Sequence, residues 1–450
     1  MRPELVAKYR HQRVPRYTSY PASPHFTDAV TAETYRGWLA EADPASTLSL
    51  YLHLPFCKSM CWYCGCHTNV VRHEDPIWSY LAALSTELRT VAGLLPEGPV
   101  VRHIHFGGGT PTLLPVSGFR ALMAELRSRY TIAPDAEIAI EIDPRTLTAE
   151  MTEALGDVGV TRASLGVQSF DADVQAAINR IQPFGMTATA VQGLRAAGIQ
   201  GINLDLIYGL PRQTVASCVD TVRQAVTLNP DRLSIFGYAH MPGFKAHQSR
   251  IDTETLPDAD ERVAQLRAME TAVLASGYVR IGMDHFARPD DPIAQAAAGG
   301  TLRRNFQGYT TDAADMLLAF GASAIGRVPR GYVANVLGLP AYLKAIEEDG
   351  LATARGYRMS QDDKLRAAVI EALMCRFDVD LAKVASAFDR PLDDLMPDAR
   401  ALADLSGDGV AHLSGTRLTI PEEARPLVRS VAALFDRHLD PEGGRHSKAI

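Results

Sequence analysis

Thr47-Leu-Ser-Leu-Tyr51-Leu-His-Leu-Pro55-Phe-Cys57-Lys-Ser-Met-Cys61-Trp-Tyr-Cys64-Gly-Cys66 joins an apolar run to a polar loop holding four cysteines. The run Leu48–Pro55 has the length and apolar content of a buried strand. Similar runs follow at Val101–Phe106, Glu137–Asp143, Arg162–Gln168, Gly201–Gly209 and Arg232–Tyr238, each closed by glycine, proline or a polar loop. The stretches between them carry helix signals. Apolar residues recur at helical spacing over Thr146–Val158, Ala188–Ala197 stops at Gly198, and Ala216–Leu228 stops at Asn229-Pro230. Strands alternating with helices imply a parallel sheet with right-handed crossovers. Six strands are too few for a closed eight-stranded barrel. The expected fold is therefore α/β, a partial, open (β/α)6 barrel, with its active site at the C-terminal ends of the strands.

A chain of 450 residues exceeds what one core supports. The expected order is an N-terminal lid or arm, 1–46, the partial barrel, 47–242, a barrel extension, 243–358, and a small, mainly helical C-terminal domain, 359–450. The extension carries a long helix near Ala259–Ser276 and a polar, aromatic-rich stretch, Ile281–Thr311; the last domain has a short strand pair near Val410–Ile420. With 46% hydrophobic and 22% charged residues the composition is that of an ordinary globular chain. A net charge of −7 gives no general affinity for nucleic acid or an anionic membrane. No membrane span is expected, and the opening MRPELVAKYRHQRVPRY lacks the apolar stretch of a secretory signal, so a cytoplasmic address is expected.

Six cysteines, four of them between positions 57 and 66, are not a disulfide framework. Cys57, Cys61 and Cys64 form C-x3-C-x2-C directly after the first strand. Three thiolates on a four-iron cubane leave one iron open to chelate the amino and carboxylate groups of S-adenosylmethionine (SAM). The competing reading is zinc, which usually takes two separated ligand pairs; no second pair follows, although His53, Cys66 or His67 is available as a fourth ligand. Cys218 and Cys375 stand alone and read as small buried hydrophobes. Phe106-Gly107-Gly108-Gly109-Thr110 follows the second strand, where consecutive glycines let the backbone approach a ligand. Polar residues at other strand ends, Glu141, Asp143, Gln168 and Asp205, are either internal hydrogen bonds or a shared ligand rim.

These motifs, with Pro15-Arg-Tyr-Thr-Ser-Tyr-Pro21, Leu204-Asp-Leu-Ile-Tyr-Gly-Leu-Pro211, Asn229-Pro-Asp-Arg-Leu-Ser234, Gly282-Met-Asp-His-Phe-Ala-Arg-Pro289 and Asn305-Phe-Gln-Gly-Tyr-Thr-Thr311, resemble the oxygen-independent coproporphyrinogen III oxidases, a radical SAM family, nearly end to end. The resemblance implies a [4Fe–4S] cluster on Cys57, Cys61 and Cys64, and two SAM molecules in one site. Tyr51, Gly108, Glu141 and Ile325 would contact the first SAM. Tyr63, Gly109, Thr110, Gln168, Arg180, Asp205 and Ala239 would contact the second. Cys66 matches a fourth family cysteine that is not a cluster ligand, and it and Tyr51 are candidate catalytic residues. The implied reaction turns two propionates of coproporphyrinogen III, a tetrapyrrole, into vinyl groups with loss of two CO2, using an electron donor and an acceptor that the sequence does not identify. A monomer is expected. For the substrate carboxylates the candidates are Arg16, with Tyr17 and Tyr20, and His285, Arg288, Arg303, Arg304 and Gln307; surface salt bridges are the competing reading, above all for Arg303 and Arg304. Two other readings stay open. A haem chaperone of the same family usually lacks the C-x-C ending and the Pro15–Pro21 segment, both present here. A radical SAM methyltransferase would leave a methylated tetrapyrrole.

Overall fold

The structure is a computed structural model that describes residues 3–9 and 12–440. Residues 1–2, 10–11 and 441–450, which belong to the expected N-terminal arm and C-terminal domain, lie outside the described residues. The chain forms two compact units: residues 26–256 with 312–358, and residues 1–25 with 257–311 and 359–450.

In the larger unit the expected strands form as β1 (Thr47–Leu54), β2 (Val100–Gly108), β3 (Thr131–Ile142), β4 (Arg162–Gln168), β5 (Gly201–Tyr208) and β6 (Arg232–Gly237). They lie side by side in that order, all parallel. Helices Asp75–Leu94, Val116–Arg129, Ala149–Asp157, Phe184–Ala196 and Val215–Thr227 make the crossovers. Their starts are fixed locally: Thr148 accepts from the Met151 N–H, and Thr214 and Ser217 form a capping box. Parallel strands covered on both faces must be apolar throughout, and Leu48, Leu50, Leu52 and Leu54 are all essentially buried.

The sheet extends beyond the six strands. β7 (Met316–Phe320) pairs parallel to β1, and β8 (Ile325–Val328), β9 (Gly331–Asn335) and β10 (Thr353–Arg358) follow antiparallel. The expected 243–358 extension is thus divided: 312–358 completes this sheet, whereas 257–311 belongs to the other unit. The register of β1 on β2 sets His53 opposite Gly107 and Leu54 opposite Gly108. The cysteine loop and the glycine turn therefore leave the sheet together, at the C-terminal rim.

The smaller unit is mainly helical. Helix Gln361–Arg376 packs its Leu365, Val369 and Leu373 into a core with Val410, Leu418, Val428 and Val431. A three-stranded sheet contains the expected strand pair, as His412–Ser414 and Arg417–Thr419. Tyr9, Tyr17 and Tyr20 of the N-terminal segment are buried in this same core. The Tyr17 hydroxyl donates to Asp436 (3.1 Å), and the Tyr20 hydroxyl accepts from the Arg437 N–H (3.1 Å). These two tyrosines, offered by the sequence as ligand donors, pack and hydrogen-bond within this unit.

Candidate active site

The cysteine loop is fastened along its length. Residues 56–57 pair with 69–70 as a short parallel ladder, which closes the loop at its base. The Trp62 N–H donates to the Ile178 carbonyl (3.0 Å), and the Asn179 amide donates to the Met60 carbonyl (2.9 Å). From the other side Gln248, His247 and Lys245 donate to the carbonyls of Tyr63, Cys64 and Cys66 at 3.0, 2.7 and 3.0 Å. This clamp from residues 245–248 is not visible in the sequence, because nothing in its spacing points to a loop about 180 residues upstream.

Each of the three motif sulfurs receives donors. Thr68 donates to Cys57 Sγ (3.0 Å), with the Thr110 hydroxyl 3.6 Å away. Arg145 and Arg180 direct guanidinium N–H groups at Cys61 Sγ, at 3.2 and 3.4 Å. The Cys66 N–H points at Cys64 Sγ (3.4 Å). Hydrogen bonding from the Cys66 side chain brings the Cys64 thiol down to about 6, against the effect of burial. Burial pushes the Cys57 thiol up, partly offset by its two threonines. Donors aimed at sulfur stabilise thiolates, the form that binds metal. Among the described residues no three His, Cys, Asp or Glu side chains converge enough to share one metal ion. Three motif thiols, each met by donors, are the ligand set that a [4Fe–4S] cluster with one open iron requires. Cys66 is exposed and acts on Cys64; Cys218 and Cys375 are buried and apart from the loop, as expected.

Beside the loop the glycine turn presents backbone. Gly108 has φ +118°, and a Cβ there would lie 2.8 Å from the His53 ring. At Gly109 a Cβ would fall 2.5 Å from the Phe56 carbonyl oxygen. A side chain at Gly108 would have to displace the His53 ring, and one at Gly109 the Phe56 backbone next to Cys57. Glu141, on β3, accepts from the Gly108 N–H (3.0 Å) and lies 3.3 Å from His105. Burial pushes its carboxyl up, but His105, Gly108 and His53 outweigh it and hold it below the usual carboxylate range. The His67 carbonyl can only accept, so His53 donates to it from Nε2 (2.9 Å). Burial keeps the His53 ring neutral, and its Nδ1 then accepts from the Tyr51 hydroxyl (3.0 Å). Tyr51 stacks on His105 at 5.8 Å.

Further along the rim Asp143 is the hub. Arg145 binds it through two nitrogens at 2.6–3.1 Å, and Arg180 does so at 3.1 and 3.2 Å. Arg180 is buried and also donates to the Gly166 carbonyl (2.7 Å). Arg180 is thus a buried ion-pair partner of Asp143. Gln168 is buried with φ 67°, a conformation a non-glycine residue holds only where its surroundings enforce it. Asp205 accepts from Ser164 (2.9 Å) and Asn203 (2.8 Å). Tyr63 follows Trp62 in the cysteine loop, Thr110 is buried at the glycine turn, Ala239 lies two residues past β6, and Ile325 opens β8.

In the smaller unit Arg16 is exposed, and Arg288 pairs with Asp290 (3.4 Å) at the surface. The buried His285 donates from Nδ1 to Asp284 (2.7 Å). Gln307 sits in the turn of the 303–310 hairpin, its N–H donating to Asn305 (2.9 Å). Arg303 pairs with Glu371 (3.1 Å), as the salt-bridge reading expected. Asp284 was not singled out from the sequence; its signal was its place inside Gly282-Met-Asp-His-Phe. Among the described residues no helix is long and apolar enough to cross a membrane.

Comparison with known proteins bears on the same residues. Residues 51–225 match the Radical SAM superfamily, and residues 359–427 match the HemN C-terminal domain. The chain is 54% identical, over all of both chains, to a Bradyrhizobium diazoefficiens protein named oxygen-independent coproporphyrinogen III oxidase. It is 40% identical to the protein of the same name from Paracoccus denitrificans, over 97% of each chain. A solved structure described as coproporphyrinogen III oxidase (HemN) from Escherichia coli, a radical SAM enzyme, superposes with a TM-score of 0.91 at 38% identity, covering 94% of this chain and 98% of that one. With the cysteine loop, the glycine turn and the parallel rim all in place, the chain belongs to the oxygen-independent coproporphyrinogen III oxidase family of radical SAM enzymes.

Proposed function

We propose that the protein catalyses the oxygen-independent oxidative decarboxylation of coproporphyrinogen III to protoporphyrinogen IX in haem biosynthesis. The observation that carries this is the cysteine loop, whose three motif sulfurs each receive donors, set at the rim of a chain that is 54% identical end to end to a named oxidase. A cluster on Cys57, Cys61 and Cys64, with SAM bound to it, supplies a 5′-deoxyadenosyl radical able to take hydrogen from an unactivated carbon.

The chain's own part is orientation and exclusion of water. Gly108 and Gly109 offer backbone where a side chain would block a ligand, and Glu141, held ionised by His105 and the Gly108 N–H, suits a ligand's cationic amine. Tyr51, locked by neutral His53, gives a flat wall beside it. A second SAM, along Tyr63, Thr110, Gln168, Arg180, Asp205 and Ala239, with Ile325 beside the first, is part of this reading. Support for it comes from the strained Gln168 and from the concentration of charge at Asp143, Arg145 and Arg180. Each propionate loses CO2 and two hydrogens as it becomes a vinyl group, and electrons leave to an external acceptor, while an external donor reduces the cluster. We take the enzyme to be a cytoplasmic monomer. The test is an anaerobic incubation with SAM, a reductant, an electron acceptor and coproporphyrinogen III, read by mass. Loss of two CO2 and four hydrogens supports the reading; unchanged or methylated tetrapyrrole contradicts it.

A further inference from the structure

The hairpin 303–310 carries two neighbouring arginines with opposite fates. Arg303 is half-exposed and paired with Glu371 (3.1 Å). Arg304 turns inward, its guanidinium 4.4 Å from the centre of the Tyr309 ring. One of its N–H groups reaches the Arg16 carbonyl at 3.5 Å, the limit of a hydrogen bond. Among the described residues its buried Nε and Nη1 have no acceptor. Buried charged donors almost always have partners, so an orphaned pair marks a place where a missing group binds.

The surroundings define that group. The charge of Arg304 acts on the Asp284 carboxylate, which His285 Nδ1 already holds at 2.7 Å. Burial pushes the Asp284 carboxyl up; the charge and hydrogen bond of His285 and the charges of Arg304 and Arg16 outweigh it and bring it to about 2. The charges of both guanidiniums thus act on this one carboxylate, in a chain whose net charge is −7. A guanidinium stacked on a tyrosine with open N–H donors is suited to a planar oxyanion. Tyr309 itself is fixed, donating to the Met374 carbonyl (2.8 Å) and accepting from the Met283 N–H (3.2 Å). Its ring also occupies the space a Cβ at Gly282 would need. The platform under Arg304 is therefore rigid.

We propose that Arg304, with Arg16 beside it, is a carboxylate-binding subsite that takes one propionate of the substrate, Asp284 holding His285 as a positioning partner. The identity of the carboxylate rests on the oxidase reading above; the anion-binding chemistry does not. The test measures binding of coproporphyrin III, and of its uncharged tetramethyl ester, to the cluster-loaded enzyme by quenching of tryptophan fluorescence. Arg304→Gln is expected to weaken the free acid about ten- to a hundred-fold while leaving the ester unchanged. Arg304→Lys, which keeps the charge, recovers part of the affinity. Arg303→Gln changes neither binding nor turnover. Iron content and the thermal transition of Arg304→Gln confirm folding; if that variant is unfolded, the Arg304→Lys acid-to-ester ratio decides. Unchanged affinity of Arg304→Gln for the acid, or equal loss of acid and ester, overturns the proposal. If the parent enzyme makes no protoporphyrinogen IX, the oxidase reading fails separately, and the acid-to-ester ratio still reports on the subsite.

Discussion

Cys66 and Cys64 are two residues apart, yet the structure gives them different tasks. Cys64 Sγ accepts from the backbone and side chain of Cys66, whereas Cys66 itself is exposed. Cys57→Ala, Cys61→Ala and Cys64→Ala are each expected to lose most cluster iron after anaerobic reconstitution. Cys66→Ser keeps the backbone donor, so it is expected to hold its iron and lose most turnover. Iron loss in Cys66→Ser equal to that in Cys64→Ala would make Cys66 a ligand. The three cysteines proposed as ligands were legible because the motif spacing is local. The groups that tune them were not: Arg145 and Arg180 reach Cys61 across 84 and 119 residues, and no local pattern encodes such a contact.

At the scale of elements, the six parallel strands were legible from apolar runs bounded by turn residues, although β3 begins at Thr131, six residues before the run read from Glu137. β7 to β10 were not read as strands. Their runs are short, and β7, buried at every position, gives no alternation to separate strand from helix. What fastens β7 to the rim is a buried residue that the sequence does not single out. Glu87, in helix Asp75–Leu94, accepts from the Gly321 N–H (2.8 Å), Asn335 (2.7 Å) and the Tyr342 hydroxyl (2.8 Å). Burial raises its carboxyl from 4.5 to about 7, against these three donors. A raised carboxyl favours the folded state most at low pH, and that contribution fades as pH rises toward 7. Its size is on the order of 3 kcal/mol. Glu87→Gln is therefore expected to flatten the fall in unfolding free energy between pH 5 and pH 8, measured in urea. Equal pH slopes for the two proteins would place the titration elsewhere.

The whole molecule is organised less simply than its sequence order implies. A chain read as four consecutive segments forms two units, one assembled from residues 1–25, 257–311 and 359–450. Sequence distance hides this, since Tyr20 and Arg437 meet from nearly opposite ends. The N-terminal segment supplies core to that unit, so Tyr20→Ala is expected to cost roughly 3–5 kcal/mol there, seen by calorimetry as an earlier transition while iron content holds. An unchanged transition would mean the segment is not part of that core. For the molecule as a catalyst, the direct measurement follows one hydrogen. Coproporphyrinogen III carrying deuterium at the propionate β-carbons is turned over anaerobically with SAM, and the 5′-deoxyadenosine is weighed. The account predicts deuterium in the deoxyadenosine together with vinyl products; vinyl products formed with unlabelled deoxyadenosine would contradict it.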